Sequence, residues 1–224
     1  LEASFMPPTS GIFFDMHLHT SRHSEDGNIN PYALLRHAER LGLTGVVITE
    51  HDYLWTEAEL DELRAAAPRV LVLAGVEVTA EEGHFLAYGV TDPFRWHKGV
   101  KVKDLCEEVH RQGGAVVAAH PFRWGQKFDE IVSQCRPALD GIELMSLNMD
   151  GMTRRLAHEI WQKHPWSGVG NSDAHELKDV GACFTQFPQP IRDIRDLVEA
   201  LRAGKGMAQE RNVVQVHALL EDED

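Results

Sequence analysis

Thirteen of the 224 residues are histidine, and many of them stand beside acidic residues, glycine or proline. The densest group is Asp15-Met16-His17-Leu18-His19. Two histidines spaced by two share one face of an extended strand, where they can bind a single ion side by side. Further imidazoles and carboxylates recur in Glu50-His51-Asp52, Glu77, His84, His120-Pro121, Glu143 and Asp173-Ala174-His175. Any one of these alone reads most simply as a hydrogen-bonded structural residue, but together they offer more ligands than one ion can use. Nitrogen and oxygen donors without cysteine suit Zn, Mn or Fe rather than a thiolate-closed structural zinc site. Two or three such divalent ions, bridged by a carboxylate such as Glu77, would acidify a shared water to hydroxide near neutral pH. Concentrated positive charge favours an anionic substrate whose transition state gathers charge on phosphoryl oxygens, so a phosphate ester is the expected substrate.

Such a cluster needs a scaffold that carries distant segments to one place. Short apolar runs alternate with longer amphipathic stretches: strands are expected at 12–14, 45–49, 70–78, 115–119, 141–144, 167–171 and 181–187, with helices at 31–41, 56–66, 102–112, 128–135, 152–163 and 193–203. Asn30-Pro31 forms a helix start, with Asn as N-cap and Pro in the first turn, and Gly42 closes that helix. The segment 83–90 is expected to pair as a hairpin with the strand before it. Repeated strand-helix units in one α/β domain give a mostly parallel sheet with helices outside, and seven or so units favour closure into a barrel. In that architecture the carboxyl ends of the strands form the ligand face. His17 and His19 follow the first expected strand, His51 the second, and Glu77 ends the third; His84 begins the segment after it, His120 ends a further strand, Glu143 lies in the next, and Asp173 and His175 follow the one after that.

The remaining composition sets bounds. Asp and Glu number 35 against 22 Lys and Arg, a net charge of −13 that repels polyanions and disfavours a duplex nucleic-acid surface. No run of eighteen apolar residues appears, and the first residues lack a signal-peptide pattern, so a cytoplasmic, non-membrane protein is expected. Cys106, Cys135 and Cys183 are odd in number and far apart, which argues for buried small residues rather than a disulfide framework. Residues 1–11 are read as an extension or a cloning remnant, 12–217 as one domain, and 218–224 as an acidic tail.

Five motifs in order resemble those of the PHP (polymerase and histidinol phosphatase) family of metal-dependent phosphoesterases. They are Asp15-Met16-His17-Leu18-His19-Thr20; Thr49-Glu50-His51-Asp52, where the family usually has Asp at the position of Glu50; Gly75-Val76-Glu77-Val78 with Gly83-His84; Ala119-His120-Pro121; and Asn171-Ser172-Asp173-Ala174-His175. The resemblance implies a distorted (β/α)7, TIM-like barrel and up to three divalent ions. It implies that His17, His19, Glu77 and Asp173 hold one ion. Glu77 and His120 would hold a second with His84 or Glu143, and His51 with His175 a third. One more ligand for the third ion is expected from the loop Arg22-His23-Ser24-Glu25-Asp26-Gly27, whose length departs from the common form. His23 and Asp26 compete for that role, with His23 preferred.

Around this centre, Glu77, Asp173 and His120 are the expected catalytic groups. Arg123 is a candidate phosphate clamp through its bidentate fork, equally readable as a rim ion pair. Asn148 is a candidate pocket residue or a turn former. Arg22 and Lys178 are weaker clamp candidates, more simply read as solvated surface charge, and of the five tryptophans, which more often anchor a core or rim, Trp124 beside Arg123 is the one to inspect for substrate contact. The expected activity is hydrolysis of a phosphorylated small molecule or nucleotide. A nuclease on short or single-stranded nucleic acid, a non-catalytic partner module and a metal-dependent amidohydrolase are the alternatives. The last commonly relies on a bridging lysine, and none is expected at a strand end here.

Overall fold

A computed structural model describes residues 11–92, 97–135 and 137–211. Most of the expected N-terminal extension, Trp96, the end of the expected domain with His217, and the acidic tail lie outside those residues. Cys106 and Cys183 are buried free thiols.

Nine strands close into one barrel in the order β1-β2-β3-β4-β5-β6-β7-β9-β8. They are β1 (Ile12–Asp15), β2 (Gly45–Ile48), β3 (Leu71–Thr79), β4 (His84–Tyr88), β5 (Ala115–Ala118), β6 (Gly141–Met145), β7 (Ser167–Gly170), β8 (Cys183–Phe187) and β9 (Met207–Glu210). Six helices intervene: α1 (Pro31–Arg40), α2 (Glu57–Ala66), α3 (Val102–Arg111), α4 (Phe128–Cys135), α5 (Gly151–Trp161) and α6 (Ile194–Arg202). Seven strands point one way; β4 runs against them, as the expected hairpin requires, and so does β8, the last of the expected strands, while the seventh parallel strand is β9. The barrel is therefore more mixed than the nearly parallel sheet expected. The reversed β4 matters for the site: it begins where β3 ends, so its first residue, His84, stands at the same rim as the carboxyl ends of the parallel strands.

Local chemistry starts the helices where the sequence indicates. Asn30 accepts from the Tyr32 and Ala33 N–H groups ahead of α1, Thr56 and Glu59 form a capping box on α2, and Asp150 and Asp193 cap α5 and α6. Asp193 is thus the cap of the last helix rather than part of its first turn. Strand alternation separates two packing shells. Val46 and Ile48 face outward to α1 and α2, while Val47 joins Phe14, Leu73, Leu86 and Val117 in the barrel interior. Leu197, Val198 and Leu201 of α6 belong to that interior cluster, and Val198 abuts Gly89 at the far end of β4, so α6 plugs the end opposite the histidines. β9 was not expected, because Met-Ala-Gln-Glu carries neither alternation nor β-branched residues. It forms because β7 and β8 each need a partner to remove an open edge, and β9 pairs with both.

Candidate metal centre

The rim loops are bent where they carry ligands. Among the described residues, the non-glycine residues with positive φ are Asp52, His120, Phe122, Trp124 and Asp173, and all lie in or beside the histidine motifs. L-residues occupy that region rarely and at a cost, and such strain concentrates at functional sites.

Glu77 is the centre of the arrangement. It is buried, and its Oε1 lies 2.8 Å from His84 Nδ1 and 3.1 Å from His120 Nε2. Its Oε2 lies 2.9 Å from His51 Nδ1, 3.2 Å from His19 Nε2 and 3.3 Å from His17 Nε2. Asp173 Oδ1 is 3.3 Å from Nε2 of both His17 and His19. Three sets of side chains have converging ligand atoms: His17, His19, Glu77 and Asp173; His51, Glu77 and His84; and His19, His51 and His175. Glu77 belongs to two of the three, the position of a bridging carboxylate.

The neighbours of these histidines fix which nitrogen faces inward. His17 Nδ1 lies 3.0 Å from Glu143 Oε1, an acceptor, so Nδ1 carries the proton and Nε2 presents its lone pair to the centre. Ser24 donates its hydroxyl proton to Glu50, which leaves the Ser24 oxygen to accept from His19 Nδ1 at 3.3 Å. His19 Nε2 is therefore a lone pair too. Consistent with this, Nε2 of His17, Nε2 of His19 and Oε2 of Glu77 are buried without a hydrogen-bond donor. Acceptors facing one another in a dry pocket repel, and a divalent cation is the group that converts that repulsion into binding. The donor set, imidazole with carboxylate and no thiolate, suits Zn, Mn or Fe.

With protons as the only cations, the same electrostatics appears as shifted titrations. Burial opposes charge on His17, yet Asp173, Glu77 and Glu143 outweigh it and hold its pKa well above the ordinary 6.5. For His19 burial is likewise overcome, by the Asp173 and Glu77 carboxylates that face it, and its pKa stands at about 9. Glu77 and Asp173, despite burial, are driven well below the usual carboxylate range, in both cases first by the charge of His17. Such a site exchanges protons for metal.

The outer group separates the two candidates in the first loop. Asp26 Oδ2 lies 3.2 Å from His175 Nε2 and 3.4 Å from His51 Nε2. His23 turns away: its Nε2 is 2.8 Å from Glu59 and its ring stacks on Tyr53 at 3.9 Å. Glu143 also stands elsewhere than at a ligand position. Its Oε1 accepts from His17 and from Asn171 Nδ2 at 2.8 Å, and its Oε2 accepts from the His120 backbone N–H at 2.6 Å. Both of its oxygens are thus engaged by donors, two of them from the His17 ring and the His120 backbone. Arg123 Nη1 is 3.4 Å from Asp173 Oδ2 and its Nη2 donates to Asn148 Oδ1 at 3.0 Å, while Asn148 Nδ2 donates to the same Asp173 oxygen at 2.5 Å. Asp173 thus offers one oxygen to the centre and has the other tethered. Arg22 pairs with Glu59 and Glu62, and Lys178 lies in a short 3-10 turn outside the cluster.

Ser24, Glu50, Asn171 and Lys98 carry roles that sequence reasoning missed. Glu50 is buried among Thr20, Ser24 and Trp55 donors and anchors the loop that fixes His19. Glu50 and Asn171 lie inside the quoted motifs and Ser24 in the loop after the first of them, which was the available signal. Lys98 is an isolated loop lysine with none. It lines a cavity of about 530 Å³ whose wall includes Asp26, His51 and His84, a volume that fits a small molecule.

Comparison with known proteins adds a family and a set of structural relatives. The PHP domain profile matches residues 15–168, and the PHP-associated profile matches residues 151–205. An uncharacterized protein of Methanocaldococcus jannaschii is 24% identical over 159 residues, covering 64% of this chain and 87% of that protein. A two-domain protein from Bacteroides vulgatus containing a predicted PHP-like metal-dependent phosphoesterase superposes with a TM-score of 0.68 at 21% identity, covering 95% of this chain and 70% of that one. A lesion-specific endonuclease from Pyrococcus furiosus superposes with a TM-score of 0.63 at 18% identity, covering 90% of this chain and 58% of that one. At these identities the structural likeness shows the fold.

Proposed function

The chain belongs to the PHP domain family, and from that premise we propose that it hydrolyses phosphate esters of small molecules or nucleotides at a centre of two or three divalent ions. The observation that carries this reading is the inward convergence of the His17 and His19 Nε2 lone pairs on Glu77 and Asp173, with no donor between them. His17, His19, Glu77 and Asp173 would hold one ion, and Glu77, His84 and His120 a second. His51 and His175 would hold a third, completed by Asp26 rather than His23. When bound, such ions supply an acidified water and neutralise charge on phosphoryl oxygens.

The protein's own groups do the rest. Glu143 and Ser24 keep His17 and His19 in the ligating tautomer. Asn148 and Arg123 hold one Asp173 oxygen so that the other faces inward. Arg123 is a quarter exposed and borders the centre through Asp173, so a phosphate oxygen there could replace Asn148 as its partner. No lysine lies in a strand among the described residues, which weighs against an amidohydrolase that relies on a bridging lysine at a strand end. The net charge of −13 weighs against a nuclease that grips long polyanions.

Phosphate release from a panel of monoesters and diesters, with Mn or Zn added to chelator-treated protein, tests the reading. Turnover is expected in the wild type and lost in Glu77→Gln. Metal-replete protein that releases no phosphate from any ester would overturn it.

A further inference from the structure

The metal centre leaves one conspicuous neighbour unused. Trp124 is 74% exposed, although an indole gains by burial and no other tryptophan among the described residues is among the exposed large apolar side chains. The chain spends conformational strain to put it there. His120, Phe122 and Trp124 have φ values of 26°, 68° and 55°, three left-handed non-glycine residues within five positions. The loop is fixed from beneath, because Phe122 N–H donates to Gln126 Oε1 at 3.0 Å and Gln126 Nε2 donates to the Glu82 carbonyl at 2.8 Å. Phe122 also packs edge-on against Phe128 at 5.8 Å. The indole is therefore presented on a fixed loop rather than left on a loose one.

Its position is as specific as its exposure. The ring centroid lies 5.6 Å from the His84 ring and 5.8 Å from the His120 ring, the two histidines on Glu77 Oε1. The Arg123 guanidinium sits 4.1 Å from the indole centroid, and the same guanidinium reaches Asn148 and Asp173. A cation backing the ring stiffens it and links it to the metal wall. A flat π-surface beside a phosphate site is what a planar ring attached to that phosphate would stack on.

Resting on the phosphoesterase reading, we propose that Trp124 is a stacking platform that selects esters whose leaving group carries a flat heteroaromatic ring, such as a nucleobase, over aliphatic esters. Trp124 is then a specificity-determining residue, backed by Arg123.

The test uses two phosphonate probes that cannot be hydrolysed, the analogues of AMP and of ribose 5-phosphate in which CH2 replaces the ester oxygen. Their affinities for the Mn-loaded full chain are measured by calorimetry in wild type, Trp124→Ala and Trp124→Phe, with circular dichroism confirming the fold. Stacking on an aromatic side chain predicts that the wild type prefers the AMP analogue by about 5- to 100-fold, that Trp124→Ala brings the ratio near one, and that Trp124→Phe restores most of it. A wild-type ratio near one, or a ratio that Trp124→Ala leaves unchanged, overturns the platform while the phosphoesterase reading stands. Failure of both probes to bind wild type overturns that reading and the platform with it.

Discussion

Replacing Glu143 by Gln preserves size and shape but removes one acceptor from a place where three donors meet. Glu143 Oε1 serves His17 Nδ1 at 3.0 Å and Asn171 Nδ2 at 2.8 Å, and Oε2 serves the His120 N–H at 2.6 Å. If the Gln oxygen remains with His17, its NH2 group opposes the His120 N–H, donor against donor. If the amide turns over, the His120 N–H is satisfied and the NH2 group faces His17 Nδ1. His17 then moves its proton to Nε2, the atom that should hold metal. Groups that orient a ligating histidine typically contribute 10- to 100-fold to metal affinity, so competition against a chelating dye should show a loss of about 1.4–2.7 kcal/mol. Loss of hydrogen bonds to a buried charge costs about 1.5–3 kcal/mol, so thermal melting of the chelator-treated variant should begin about 4–10 °C lower. A correctly folded Glu143→Gln protein whose metal affinity stays within twofold of wild type would refute the tautomer argument and return Glu143 to the candidate ligands.

The other expectations concern the outer ligand, the clamp and pH. Asp26→Ala should lower metal content or weaken the outermost ion by about tenfold or more, while His23→Ala, which loses only contacts to Glu59 and Tyr53, should keep the wild-type stoichiometry by plasma mass spectrometry. Arg123→Met should raise KM for a phosphate ester by about tenfold or more, and Arg123→Lys should rescue little because a point charge cannot span Asn148, Asp173 and substrate; equal KM values in all three proteins would remove the clamp. In chelator-treated protein the raised pKa of His19, about 9 against an ordinary 6.5, gives a contribution fully present below 6.5 and lost as pH rises through 9. At 1.36 kcal/mol per unit the loss is at most about 3 kcal/mol, so thermal melting should drop across that window and the drop should shrink in His19→Gln, with the raised His17 and His51 supplying the remainder. Metal binding should strengthen across the same window, since it requires the deprotonated ligands.

How far the sequence reached follows from what each feature depends on. His17, His19, His51, Glu77, His120, Asp173 and His175 were legible because strand ends in an α/β barrel share one rim, and local apolar runs mark the strands. His84 was legible at the rim because the segment 83–90 reads as the hairpin partner of the strand before it, and β4 does run back from the end of β3. β9 left no trace because its strand character comes from the gap between β7 and β8. His23 and Asp26 could not be separated in advance, because three residues apart in an irregular loop they differ only in which way the chain turns. That turn is set by Ser24 and Glu50, far in sequence from one another. Glu143 lay at a ligand's address, and only its three donors point to the orienting role proposed for it. The left-handed turn presenting Trp124 arises in Phe-Arg-Trp, where composition gives no hint of positive φ.

The most direct test of the central claim is a crystal structure of metal-reconstituted protein with anomalous scattering recorded at the absorption edge of the added metal. At least two ions per chain are predicted, one between Nε2 of His17 and His19 with Glu77 and Asp173, and one at Glu77 Oε1, where His84 and His120 meet it, within about 2.0–2.2 Å of their nitrogen and oxygen ligands. A fully reconstituted crystal with no anomalous peak beside Glu77 would contradict it.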